Sequence, residues 1–186
     1  MYSKRRIQML KKRRGFTLIE MLITVAILGI LATLLIPNAI TAIQKARQKE
    51  TMKQIVSLAT AVTDYVTDNG AAPTQNGSYD ATDEFYDALS PFYIKVLPIN
   101  DQWGNNFMVY CGADCDGNYG ISGAAGDDFI IASYGRAGEL ETDFSFDIND
   151  TEAGMYVVSE ATHFNRDLVM WNGSWIRAPR TASTGT

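Results

Sequence analysis

The sequence lacks the residues and motifs from which most enzyme active sites are built. Its 186 residues contain one histidine, His163, and two cysteines. There is no Gly-x-Ser-x-Gly elbow, no His-Glu-x-x-His helix, no Cys-x-x-Cys-His segment and no glycine-rich phosphate loop, so no nucleophile is paired with a base. A structural zinc site would need more ligands than these three residues supply. We therefore interpret the chain as a protein that is not an enzyme.

Acidic residues are absent from the first 15 positions, which contain seven lysines and arginines. The formal net charge of −5 for the whole chain hides this asymmetry. Residues 16–186 carry nine basic and 21 acidic side chains, a net of −12. Such an acidic surface repels nucleic acid, which we exclude as a partner, and it suits the binding of cations.

Charged side chains are nearly absent between Phe16 and Ile36, where Glu20 is the only ionisable one. About twenty apolar residues in a helix cross a bilayer, so residues 16–37 are predicted to span a membrane. The positive-inside rule then leaves the basic residues 1–15 in the cytoplasm and the rest of the chain on the far side.

A carboxylate in such a span, such as that of Glu20, needs a partner. A cut between Gly15 and Phe16 would create an α-amino group one helical turn from Glu20.

The run KRRGFTLIE at residues 12–20 resembles the class III signal of type IV pilins and type II secretion pseudopilins. The resemblance implies that the membrane prepilin peptidase removes residues 1–15, cutting after Gly15, and methylates the amine of Phe16. It also implies that Glu20 pairs with the Phe16 amine of an adjacent copy during filament assembly. The alternative is an ordinary signal anchor in which the Glu is incidental.

The predicted helix continues beyond the span. Pro37 lies within it, where a kink is expected because proline has no amide N–H. Residues 38–69 are amphipathic, and the helix is predicted to end at Asn69-Gly70 and to bury an apolar stripe against the remainder of the chain. The stripe recurs at three- and four-residue steps: Ile40, Ile43, Met52, Ile55, Ala59, Val62 and Val66.

Residues 70–178 are predicted to form the globular part, and residues 179–186 a flexible tail. Strand-like runs rich in aromatic and β-branched residues begin at Phe107, Phe129, Leu168 and Ser174, and a short helix is predicted over residues 83–89. Asn172-Gly173 is typical of a two-residue type I′ hairpin turn. The predicted fold class is α+β and pilin-like, with the long helix packed against a C-terminal antiparallel sheet.

Residues 93–110 resemble the major, G-type pseudopilin of type II secretion, and Ser133-Tyr134-Gly135 and Asp147-Ile148 match its later positions. From the residues alone, we expect Asp101 to accept backbone N–H bonds in a turn. Trp103 should close the core against the helix, and Gly104 should take a positive φ.

Two candidate sites lie in the second half of the chain. A disulfide between Cys111 and Cys115 is predicted, because the topology places them outside the cytoplasm; the alternative is two free thiols. The resemblance further implies a calcium site in the loop before Asp147, although Ala137-Gly138 replaces the family's Asp-Gly pair. Calcium prefers six to eight oxygens, so the remaining candidates are the nearby acids, and the alternative is a solvated acidic loop. These acids are Glu139, Glu141 and Asp143.

The resemblance implies a structural subunit of a periplasmic pseudopilus in a type II secretion system. The implied partners are further copies of the chain, minor pseudopilins, the prepilin peptidase, and an inner-membrane platform with its ATPase. The implied location is the inner membrane, with the globular part in the periplasm. One alternative is a subunit of a surface type IV pilus for adhesion, motility or DNA uptake. The other is a monomeric membrane-anchored binding protein.

Overall fold

A computed structural model describes residues 15–180. The chain divides into two compact units, one up to Ile40 and one from Thr41 onward. Two 3-10 turns, at Gly112–Cys115 and Ala161–Asn165, accompany two α-helices and six strands in the described residues. In chain order these are α1 Leu18–Asn69, β1 Asn76–Ser78, α2 Glu84–Leu89, β2 Met108–Cys111, β3 Phe129–Ser133, β4 Met155–Val157, β5 Leu168–Trp171 and β6 Ser174–Arg180.

Helix α1 ends where the sequence predicts and begins at Leu18, two residues after the predicted start at Phe16. It ends at Asn69 because Gly70 takes a positive φ of 76° and donates its N–H to the Val66 carbonyl at 2.7 Å. Pro37 lies inside the helix without interrupting it. The kink at Pro37 therefore stays a prediction.

The packed face of α1 starts later than predicted. Ile55, Leu58 and Val62 are fully buried, as the apolar stripe requires. Ile40 and Ile43 are 52% and 53% exposed, so their assignment to the packed stripe is wrong. Where the helix packs against the globular part, the first buried side chains are polar. These are Gln48 and Thr51, and both form hydrogen bonds to the globular part.

The six strands form one sheet in the order β1-β2-β3-β5-β6-β4. Four neighbouring pairs are antiparallel, but β4 pairs with β6 in parallel, with Met155 opposite Ala178. The sheet is therefore mainly antiparallel, as predicted, with one parallel pair at its edge that the sequence did not predict. Strands β1 and β4 were not predicted, because each has only three residues and too little pattern to reveal it.

The C-terminal hairpin matches its prediction and extends further. Asn172 and Gly173 both have positive φ, 46° and 78°, as a type I′ turn requires. Strand β6 continues to Arg180, so the tail boundary predicted at residue 179 is two residues too early. The rest of the predicted tail lies outside the described residues.

Strand β3 is buried on both faces of the sheet. On one face of the sheet, Ile131 packs against α1. On the other face, Ile130 packs under the loops that follow β2 and β3. This arrangement explains why Phe129–Ser133 reads as a continuous apolar run rather than an alternating one.

Candidate assembly site

Glu20 closes a capping box at the start of α1. Its Oε2 accepts hydrogen bonds from the Thr17 N–H at 2.9 Å and the Thr17 hydroxyl at 2.8 Å. The Glu20 N–H in turn donates to Thr17 Oγ1 at 3.3 Å. This reciprocal pairing satisfies amide groups that have no partner within the first helical turn. This capping role of Glu20 was not predicted, although Thr-x-x-Glu is the sequence signature of a capping box.

The helix surface that follows the cap is apolar and exposed. Large apolar side chains from Phe16 to Ile36 are 46–92% exposed where the structure describes them. By length and composition, α1 is long and apolar enough to span a membrane. Because a continuous apolar surface is unstable in water, lipid or other helices must cover it.

The predicted cleavage point lies just before the helix. Gly15 and Phe16 are exposed and precede Leu18, the first helical residue, so the bond between them is not held in secondary structure. The basic residues 1–14 of the predicted leader lie outside the described residues.

Asp101 joins the turn after α2 to the sheet. Its Oδ1 accepts the N–H groups of Trp103 and Asn105, each at 2.9 Å, and its Oδ2 accepts the Ser133 hydroxyl at 2.7 Å. Gly104 has a φ of 93°, which completes the turn. The expected turn geometry is therefore confirmed, and Asp101 is a structural residue.

Trp103 ties the same turn to α1. Its indole Nε1 donates to Gln44 Oε1 at 2.7 Å, and the neighbouring Gln102 N–H donates to Thr51 Oγ1 at 3.2 Å. The turn therefore holds helix and sheet together through hydrogen bonds. Trp103 is half-buried and belongs to neither apolar core cluster, so its role in closing the core stays a prediction.

Both cysteines are free, buried thiols, so the predicted disulfide is not present in this structure. Burial raises the pKa of Cys115 to about 12, and burial also raises the pKa of Cys111. The Cys115 thiol lies 3.2 Å from the Tyr110 carbonyl oxygen. Thiols in such surroundings are poor nucleophiles, and the disulfide stays a prediction.

The acidic candidates for a calcium site do not converge. Glu141 is paired with Arg177, whereas Glu139 and Asp143 are exposed. Asp147 Oδ1 accepts bonds from the backbone and side chain of Asn149 at 2.8 and 3.0 Å. Within residues 15–180, no group of three or more His, Cys, Asp or Glu side chains is placed to share a metal ion. These side chains do not fit a calcium ion in this arrangement.

A buried ionic cluster, which the sequence analysis missed, holds that loop instead. Arg177 pairs with Glu141, contacts the Gly154 carbonyl at 3.3 Å and lies over the Phe144 ring at 4.7 Å. Asp167 Oδ2 accepts the Glu141 N–H at 3.1 Å. An arginine within the apolar run of β6 was the available sequence signal, since a charge there needs a buried partner.

Asp167 is fully buried within this cluster. Its Oδ2 also accepts the Tyr119 hydroxyl at 3.1 Å, while its Oδ1 has no partner among the described residues. Burial is the main reason that the pKa of Asp167 is raised to about 6.

Two protein families match the chain. The prokaryotic N-terminal methylation motif matches residues 10–36, and type II secretion system protein G matches residues 38–150. The first match covers the capping box and the span, and the second covers most of the packed helix and the sheet up to β3. Strands β4, β5 and β6 lie beyond both matches and complete the sheet.

Curated relatives agree with these matches. The type II secretion system core protein G of Vibrio cholerae is 32% identical over 56% of this chain and 75% of its own length. That of Escherichia coli is 34% identical over 71% of this chain and 88% of its own. The type IV major pilin protein PilA of Myxococcus xanthus is 42% identical over only 31% of this chain and 26% of its own. No solved structure is significantly similar.

The protein G match spans more than half of the chain, and the similarity to the Escherichia coli protein extends over nearly all of that protein. The methylation motif, the apolar helix and the Asp101 turn lie where the resemblance of the sequence placed them. The chain therefore belongs to the type II secretion system protein G family.

Proposed function

We propose that this chain is a structural subunit of the periplasmic pseudopilus of a type II secretion system. The observation that carries the proposal is the exposed apolar surface from Phe16 to Ile36 with a carboxylate in its first turn. Identical helices that pack side by side would cover that surface outside the bilayer. Contacts that repeat head to tail from one copy to the next do not close into a ring, so they generate a filament.

Processing would supply the partner that Glu20 needs. Removal of residues 1–15 turns Phe16 into a new N-terminus, which the peptidase then methylates. Both hydrogen bonds from Thr17 go to Oε2, so Oε1 of Glu20 is available for the Phe16 amine of a neighbouring copy. In a low-dielectric bundle this ion pair sets the register between adjacent helices.

The family also supports a location and a set of partners. The basic leader would stay in the cytoplasm, with the globular part in the periplasm and α1 anchored in the inner membrane. The partners would be other copies of the chain, minor pseudopilins, the prepilin peptidase, and an inner-membrane platform with its ATPase. In this role the chain is a substrate of the peptidase and is not itself an enzyme.

A surface type IV pilus is the second candidate function. The similarity to the Myxococcus xanthus major pilin supports it, although that match covers 31% of this chain. The protein G match over residues 38–150 favours the pseudopilus, because it includes the globular part and not only the helix.

The experiment compares Glu20→Ala with Thr17→Ala in the full chain. Both substitutions remove the capping box, which should cost about 1 kcal/mol of helix stability in each variant. Only Glu20→Ala removes the carboxylate that would pair with a neighbouring amine. We therefore expect Glu20→Ala to abolish sedimenting filaments and Thr17→Ala to retain most of them.

Two readouts complete this experiment. The intact mass of wild-type chain from membranes should lack residues 1–15 and show one added methyl group on Phe16. Equal loss of filaments in both variants would assign Glu20 to capping alone, and filaments that survive Glu20→Ala would contradict the proposed assembly.

A further inference from the structure

A basic groove lies between α1 and the sheet edge formed by β4 and the end of β6. The cavity measures about 470 Å³. Met52 and Val157 line it with apolar surface, and Lys45, Lys49 and Arg180 supply its charge. Within the described residues Lys45 and Lys49 form no ion pair, whereas Arg180 pairs with Glu152 at 2.8 Å.

This groove is unusual for the chain that contains it. Residues 16–186 carry only nine basic side chains against 21 acidic ones, yet three of the nine, Lys45, Lys49 and Arg180, line this groove. Strands β4 and β6, which form one wall, lie beyond the family match at residues 38–150. Two unpaired lysines beside an apolar floor suit a partner that presents an apolar side chain flanked by carboxylates.

The chain presents such a surface at the other end of the packed part of α1. Asp64 and Asp68 line a second cavity together with Phe92. The Phe92 side chain is 81% exposed. Its ring packs edge-on against the ring of Tyr93, with 4.8 Å between the ring centroids. We name Asp64, Asp68 and Phe92 the acidic knob.

The knob cannot reach the groove of its own chain. Lys49 and Asp68 are separated by 19 positions on α1, which is about 28 Å at 1.5 Å per residue. Only a different copy can bring the two surfaces together, and contacts between two unlike patches are the kind that build open filaments.

We propose that the acidic knob of one copy docks into the basic groove of a second copy. The contact rests on the proposed filament function and identifies a surface through which neighbouring globular parts meet. Its apolar element is Phe92 against Met52 and Val157, and its charged element is Asp64 and Asp68 against Lys45 and Lys49.

Cross-linking tests whether the two surfaces meet. A full chain with Lys49→Cys and Asp68→Cys is assembled and treated with a short bis-maleimide. The native cysteines are buried and should not react. We expect a ladder of multimers, because a link within one chain would have to bridge about 28 Å, whereas each single variant should give dimers at most. Filaments without a ladder would overturn the contact.

Charge exchange tests whether the contact matters for assembly. We expect Lys45→Glu with Lys49→Glu to reduce sedimented filament about tenfold or more, and Asp64→Lys with Asp68→Lys to do the same. Combining all four should restore assembly. All four positions are exposed, and thermal melting checks that the fold is intact. Arg47→Glu with Arg136→Glu is the matched control, with the same charge change outside the groove.

Each remaining outcome has a definite meaning. A combined variant that assembles no better than either pair would overturn the contact, and so would variants that all assemble like the wild type. If Lys45→Glu with Lys49→Glu weakens only the binding to phosphatidylglycerol vesicles, the groove is assigned to lipid and the contact is overturned. Wild-type chain that never sediments would overturn the filament function itself, which distinguishes the two failures.

Discussion

At the residue scale, Asp101 stabilises the fold because its buried carboxylate accepts three hydrogen bonds. Asp101→Ala leaves the Ser133 hydroxyl and two backbone amides without this acceptor, so we expect a loss of about 3 kcal/mol in the free energy of unfolding. Asp101→Asn keeps the shape and one oxygen acceptor and should cost less. Denaturant unfolding of both variants measures the difference, and equal losses would contradict the role of the second oxygen.

Asp167 should make stability depend on pH. Its folded pKa of about 6 lies above its ordinary value of 3.8, so the folded state holds the proton more tightly. This stabilisation is complete below pH 3.8 and is lost as pH rises through 6, by on the order of 3 kcal/mol. Asp167→Asn should flatten the unfolding free energy between pH 4 and pH 7. A variant whose pH profile matches the wild type would contradict this assignment.

At the element scale, the loop after β3 is held by an ion pair from β6. The side chains of Arg177 and Glu141 are 9% and 19% exposed, whereas those of the control pair, Arg180 and Glu152, are 53% and 78% exposed. Arg177→Gln should therefore cost about 3 kcal/mol, and Arg180→Gln less than about 1 kcal/mol. Comparable losses in thermal unfolding would show that burial does not decide the strength of this pair.

The same ion pair bears on calcium. Because Arg177 already neutralises Glu141 and the other acids do not converge, calcium or a chelator should leave the melting temperature unchanged. A rise with calcium that Glu141→Gln or Asp147→Asn abolishes would show that the loop rearranges around the ion.

Sequence periodicity predicts the positions of the long helices and strands well and those of the short ones poorly. The end of α1 and strands β3 and β5 were predictable, because an apolar period or run is bounded there by glycine or turn residues. Strand β4 was not, since its three residues are placed by pairing with β6 rather than by their own pattern. The partner of Glu141 was equally hidden, because Arg177 lies 36 residues away along the chain.

At the scale of the whole molecule, family resemblance supplied what local patterns cannot. Residues 16–36 alone predict a membrane anchor, and only the run at residues 12–20 points to cleavage and assembly. The capping box adds a second role for Glu20 that sequence comparison does not reveal. One carboxylate would then both start the helix and align it with its neighbour.

The measurement that tests the secretion function most directly is a comparison of the culture supernatant proteome with the sheared surface fraction after deletion of the gene. We expect exoproteins to disappear from the supernatant while surface fibres remain, and we expect wild-type chain, but not Glu20→Ala, to restore secretion. Loss of surface fibres with exoproteins intact would contradict the secretion function and assign the chain to a type IV pilus.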